Sequence, residues 1–154
     1  MKFIFTLASS VVFLLTAPIA LAGDSWVAHC QARNEVHEVQ SRGQCQAHFK
    51  LNSDGDGLEY KVLASNLEFV TQSHIHMAPA GQNGPVVAFL FGFVAEGVNP
   101  NGLLAQGIIT DADLIGPLAG MTIYDLLDAM DAGNTYVNVH TQAYPPGEVR
   151  GQIK

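Results

Sequence analysis

Short alternating runs broken by turn residues leave this chain little room for anything but a β-fold. Helical periodicity is scarce, while 15 glycines and 7 prolines punctuate the sequence, a pattern of an all-β domain. The clearest run is Tyr136-Val137-Asn138-Val139-His140-Thr141. Alternation in a strand puts Val137, Val139 and Thr141 on one face and Tyr136, Asn138 and His140 on the other. Further strands are expected over residues 26–32, 44–51, 58–64, 67–76, 85–91 and 104–110. A last hairpin runs through Tyr144-Pro145-Pro146-Gly147 into 148–153. The 85–91 run is apolar on both faces, which predicts a central strand.

One helix is expected, over 123–131. Thr122 can cap it, Asp125 holds the capping-box position and Gly133 supplies the stop. Ile123, Leu126, Leu127 and Met130 form its apolar stripe, spaced for packing on a sheet. Asp111-Ala112-Asp113-Leu114 can make one further helical turn. Asn52-Ser53-Asp54-Gly55-Asp56-Gly57 begins like an EF-hand calcium loop, yet its twelfth position is Leu63 rather than a bidentate Glu. It reads instead as a hairpin turn built on Asp-Gly chemistry.

Residues 1–22 have the form of a secretory signal. Lys2 provides the positive start, Phe3 to Ile19 is mostly apolar, and Ala20-Leu21-Ala22 fits a cleavage site. No Cys follows that site, which argues against a lipid anchor. The expected product is a single domain, 23–154, secreted or periplasmic and free of the membrane after cleavage. With Lys2 removed, 6 basic residues face 14 acidic ones, a net charge of −8. That balance excludes nucleic acid and anionic membrane as natural partners and suits a protein that attracts cations.

Cys30 and Cys45 are the only cysteines. In an oxidising compartment pairing is the default, and a bridge would join the first two strands across a loop of about 15 residues. The rival use is a thiolate–imidazole metal site with His29.

The chemistry-bearing residues are histidines. In an extended Ser73-His74-Ile75-His76 both imidazoles point the same way, about 7 Å apart, with Ile75 on the opposite face. Aliphatic residues mark the core side, so His74, His76 and His140 all project from the other side. Neutral imidazoles converging there are suited to a metal ion. The segments 77–85 and 92–106 are candidates to cover such a site. Glu148 and Arg150 fall on the side opposite Val149 and Ile153, the histidine side.

Taken in order, Ser-His-Ile-His with Gly81-Gln82-Asn83-Gly84-Pro85-Val86-Val87, then Gly107-Ile108-Ile109-Thr110 with Asp113-Leu114, then Tyr-Val-Asn-Val-His-Thr with Pro146-Gly147-Glu148-Val149-Arg150-Gly151-Gln152-Ile153, resemble the CHRD domain. That module is named for the extracellular protein chordin and also occurs as stand-alone secreted bacterial proteins. The resemblance spans about 26–154. Where family members usually carry Glu-Val-Pro-Pro, this chain has Glu35-Val36-His37-Glu38, and the cysteine pair is not a family hallmark.

The resemblance implies a fold similar to the copper/zinc superoxide dismutase sandwich, an eight-stranded Greek-key barrel. In that enzyme a His-x-His and a late-strand histidine hold copper outside the barrel, which matches His74, His76 and His140. The additional histidines of a dinuclear copper–zinc site have no counterpart in 77–106. The expected fold class is therefore an all-β Greek-key sandwich or barrel, superoxide dismutase-like or immunoglobulin-like, with one short helix.

The expected function is binding of one copper ion, with zinc as the alternative ion, through His74, His76 and His140. The Irving–Williams order favours Cu(II) at a nitrogen site. Met77 is a candidate soft ligand for Cu(I), and Asn138, Glu148 and Arg150 are candidates for the surrounding polar shell. Affinity is expected to fall as pH drops through about 6.5, the unperturbed histidine value. The alternative functions are a non-catalytic module that binds another extracytoplasmic protein, or a redox enzyme acting on superoxide. No catalytic residue is assigned.

Overall fold

The computed structural model describes residues 25–154, so the signal segment and its cleavage site lie outside the described residues. Eight strands form one antiparallel sheet: β1 (Ser25–Gln31), β2 (Gln44–Leu51), β3 (Leu58–Ser65), β4 (Val70–Met77), β5 (Val86–Phe91), β6 (Gly102–Ile109), β7 (Thr135–Thr141) and β8 (Val149–Gln152). Their order is β5-β4-β7-β8-β1-β2-β3-β6. Sequential neighbours pair as hairpins (β1–β2, β2–β3, β4–β5, β7–β8), while the β3–β4 and β6–β7 connections cross over in Greek-key fashion. The end strands β5 and β6 lie in contact, and the Tyr60 hydroxyl on β3 donates to Leu90 O on β5 at 2.9 Å. The sheet is thus a nearly closed barrel.

The expected alternation holds in β1 and β2. Trp26, Ala28 and Cys30 face Cys45, Ala47 and Phe49 in the interior. Cys30 and Cys45 are register partners with Cα atoms 4.7 Å apart, and their sulfurs are joined in a disulfide. Joined sulfurs are unavailable as thiolate ligands, which removes the site with His29. The Asn52 loop closes the β2–β3 hairpin, with the Asn52 side chain bonded to Asp56 and to the Gly57 amide.

The helix α1 (Ile123–Asp131) has the expected bounds. Thr122 N donates to Asp125 Oδ2 at 2.8 Å, and Asp111 Oδ1 accepts the Ile123 amide. Gly133 ends the helix at φ 68°, a left-handed conformation natural to glycine. All four stripe residues are buried in the core, and the Trp26 indole donates to Asp131 at 2.7 Å. No helix among the described residues is long and apolar enough to cross a membrane.

Two expectations need correction. The strand foreseen over 67–76 starts only at Val70, because Asn66 (φ 55°) and Phe69 (φ 51°) turn the chain out of extended geometry. β5 is not central: it ends the strand order and pairs only with β4, through an irregular register. Its outer Phe89 is 51% exposed and serves a neighbouring histidine instead of a sheet interior.

β7 is buried along its whole length. Its inner face meets the core through Val137 and Val139. Its outer face, bearing Tyr136, Asn138 and His140, is buried by loops, and the candidate site lies there.

Candidate metal centre

β4 and β7 are adjacent and antiparallel, with His76 opposite Tyr136, His74 opposite Asn138 and Gln72 opposite His140. His140 is thus diagonal to His74, within reach of a long side chain across a strand pair. Ile75, at 0% exposure, points into the core, so both β4 histidines point outward as alternation requires. The three rings converge. Their ligand atoms lie within 4.8 Å of one another, and His74 Nδ1 stands 3.2 Å from His140 Nε2.

Backbone carbonyls set the tautomers of two rings. His76 Nδ1–H donates to Gly84 O at 2.9 Å, and His140 Nδ1–H donates to Pro145 O at 2.8 Å. A carbonyl accepts only, so each ring presents its Nε2 lone pair to the cluster. His74 Nδ1–H then donates to His140 Nε2. The Nε2 atoms of His74 and His76 are buried without any hydrogen-bond partner, an arrangement that costs free energy unless something occupies the lone pairs.

All three rings are held neutral. Burial lowers the His74 pKa to about 3, with His140 and His76 pressing the same way. Burial likewise lowers His76 and His140, against the opposing pull of the Gly84 and Pro145 carbonyls. The three nitrogens therefore remain available as ligands below pH 6.5, and the pH at which protons displace an ion moves down from the unperturbed value.

The donor set fits a soft or borderline ion. Two imidazole nitrogens bonded at about 2.0–2.1 Å to one tetrahedral ion sit about 3.3 Å apart, close to the 3.2 Å between His74 Nδ1 and His140 Nε2. An ion there would displace the proton that these two atoms share and leave His74 as its Nε2–H tautomer. Among the described residues no cysteine or carboxylate belongs to the cluster.

The surroundings differ in part from expectation. Residues 77–85 do cover the site. Gly84 is its anchor: besides the bond to His76, its amide donates to the Tyr136 hydroxyl at 3.3 Å. The approach is so close that a Cβ at Gly84 would lie 1.9 Å from Met77 O. Tyr136 stacks on His76 (4.8 Å between centroids, 8° between planes), and the Arg150 guanidinium lies 3.4 Å from the Tyr136 ring centre. Arg150 also donates to Pro79 O, Gln82 O and Asn83 Oδ1, pinning the loop. Phe89 packs edge-on against His74.

Residues 92–106 give no such cover. Val94 and Val98 bond to Thr71 and Val70 at the start of β4. The second cover is instead the irregular segment 35–41. His37 Nε2–H donates to Gly147 O at 3.0 Å, Ser41 Oγ donates to Glu148, and the Tyr144 hydroxyl donates to Gln40 O. Glu35 accepts from the Asn138 amide, and burial raises the pKa of its carboxyl.

Of the four candidate neighbours, Met77 packs against the core cluster, on the Ile75 face, as alternation dictates. Asn138 bonds Glu35 and Val149 O, Glu148 bonds Thr141 and Ser41, and Arg150 holds the loop. None of these bonds reaches a histidine. Gly84, Tyr136, Phe89, Glu35 and His37 complete the surroundings. Only Tyr136 was legible beforehand, through its shared face with His140.

A family model described as CHRD domain matches residues 26–153. No curated protein and no solved structure matches the chain.

Proposed function

The chain belongs to the CHRD domain family, and from that premise we propose that it is a secreted or periplasmic protein that binds one copper ion through His74, His76 and His140. The observation carrying this reading is the convergence of three neutral imidazoles with ligand atoms within 4.8 Å of one another, the His76 Nε2 lone pair being buried without a partner. Two of the rings are already fixed in one tautomer by backbone carbonyls. Preorganised imidazole nitrogens suit copper and zinc, and copper binds nitrogen sites more tightly than zinc. The Cys30–Cys45 disulfide agrees with an oxidising compartment. Copper held there would meet three imidazole nitrogens on rings that are buried or half-buried, a setting for storage or transfer.

Titration of metal-free protein with Cu(II), Cu(I) under reductant, and Zn(II) tests the proposal. Stoichiometric copper binding that outcompetes zinc is the expected result. Absence of saturable binding by any of the three ions would remove it. A second reading, a module that binds another extracytoplasmic protein, is favoured by the exposed Phe89 (51%) and Phe93 (69%). It would then take first place.

A further inference from the structure

Beside Arg150, and lined by none of His74, His76 and His140, lies a cleft of about 420 Å³. Its floor is β8, one wall is the end of β1 with the turn Ala32–Asn34, and the other is the loop at Ala80 and Gly81. Asn34 Nδ2 donates to Arg150 O at 2.9 Å, which fixes that turn beside β8. The cleft gathers Arg33, Arg150 and Lys154, three of the six Lys and Arg residues in 25–154, with His29 at its edge. None of the thirteen Asp and Glu residues of the same span lines it. In a protein this acidic such a segregation of charge is a local positive field.

Arg150 makes the cleft more than a surface patch. The residue is only 2% exposed, yet no carboxylate lies within 4.0 Å of its guanidinium among the described residues. Of five N–H donors, three bonds are formed, to Pro79 O, Gln82 O and Asn83 Oδ1. Glu35 acts on it only from beyond contact and the Tyr136 ring covers one face, so a buried cation with no carboxylate in contact gains from an anion that completes it. We propose that this cleft is an anion site, in which Arg150, Arg33 and Lys154 together take a small oxyanion, either inorganic phosphate or sulfate, or the carboxylates of an organic acid.

Arg33, whose guanidinium makes no hydrogen bond among the described residues, carries the planar fork that matches the paired oxygens of both classes. Arg150, with both Nη2 hydrogens bonded to the loop, adds its charge. The site stands independently of the histidine centre, although the Arg150–Tyr136–His76 stack places the two one aromatic ring apart.

The test uses metal-free, isotope-labelled protein with a chelator present, titrated at constant ionic strength with sodium phosphate in one arm and sodium citrate in the other. Nuclear magnetic resonance should show saturable shifts confined to Gln31, Arg33, Asn34, Gly81 and Gln152, and a shift of the Arg150 Nε–H signal. Arg33→Gln with Lys154→Gln should weaken binding about tenfold, the usual scale for losing charge-assisted bonds. Lys61→Gln, on β3 outside the cleft, should bind as wild type. Saturation by phosphate alone identifies an inorganic oxyanion, and stronger saturation by citrate identifies a carboxylate ligand. Shifts that never saturate in either arm, or that persist unchanged in the double variant, would overturn the proposal.

Discussion

His74 Nδ1 and His140 Nε2 stand 3.2 Å apart although 66 positions separate the residues in the chain. The β4–β7 register brings them together, and the segments 77–85 and 35–41 cover them. Removing solvent from basic nitrogens without giving them bonds destabilises the metal-free protein, and an ion that uses those lone pairs recovers the loss. Several measurable consequences follow from that placement.

Gly84→Ala should damage the centre without touching a ligand. A Cβ there meets Met77 O at 1.9 Å and Ala78 Cβ at 2.9 Å, so the loop must move. Movement breaks the carbonyl bond that fixes the His76 tautomer. Loss of such a supporting bond typically lowers metal affinity about 10–100-fold. Competition titration against a copper chelator checks this, and wild-type affinity would show that Gly84 does not orient His76.

The metal-free protein should lose stability as the solution is acidified below pH 6.5. The folded pKa of His74 is lowered to about 3, and those of His76 and His140 are lowered too. Between those values and the unfolded value near 6.5 the unfolded chain binds more protons, so stability is complete above about 6.5 and falls with pH below it. Glu35, whose pKa is raised, acts in the opposite sense just above 4.5, one group against three. Urea midpoints at pH 7.5, 6.5 and 5.5 with a chelator present provide the check. A flat profile would mean that the rings are solvated.

Leu127→Ala should cost about 2–5 kcal/mol, the usual range for a buried leucine. Leu127 is 7% exposed and joins Ile123, Leu126 and Met130 in fastening α1 to the core. A change within about 0.5 kcal/mol in denaturant unfolding would instead be typical of a surface position.

What could be read from the sequence was local. The bounds of α1 follow from Thr122, Asp125 and Gly133, which act within one turn of the helix ends. The outward direction of His74, His76 and His140 follows from two-residue alternation in β4 and β7. Long-range partners left no such trace. Strand order is decided by pairings between distant segments, so the apolar 85–91 run looked central while β5 stands at the end of the order. The 35–41 cover has no periodicity and is held by His37 on Gly147 and Ser41 on Glu148, across 110 and 107 positions. Met77 was misjudged for a nearer reason: its thioether attracted a chemical role, while strand parity already placed it with Ile75. The histidine titration was misjudged as well, since the depth of burial that lowers it depends on those same distant covers.

The most direct test of the metal centre is the thermal shift produced by copper in ligand variants. An ion that binds only the folded protein raises its melting temperature as it is added. Wild type and His48→Ala, whose side chain is exposed on β2, should show the same increase. His74→Ala and His140→Ala should each abolish it, despite their separation in the chain. An equal copper-induced increase in wild type and in the His74, His76 and His140 triple alanine variant would contradict the site.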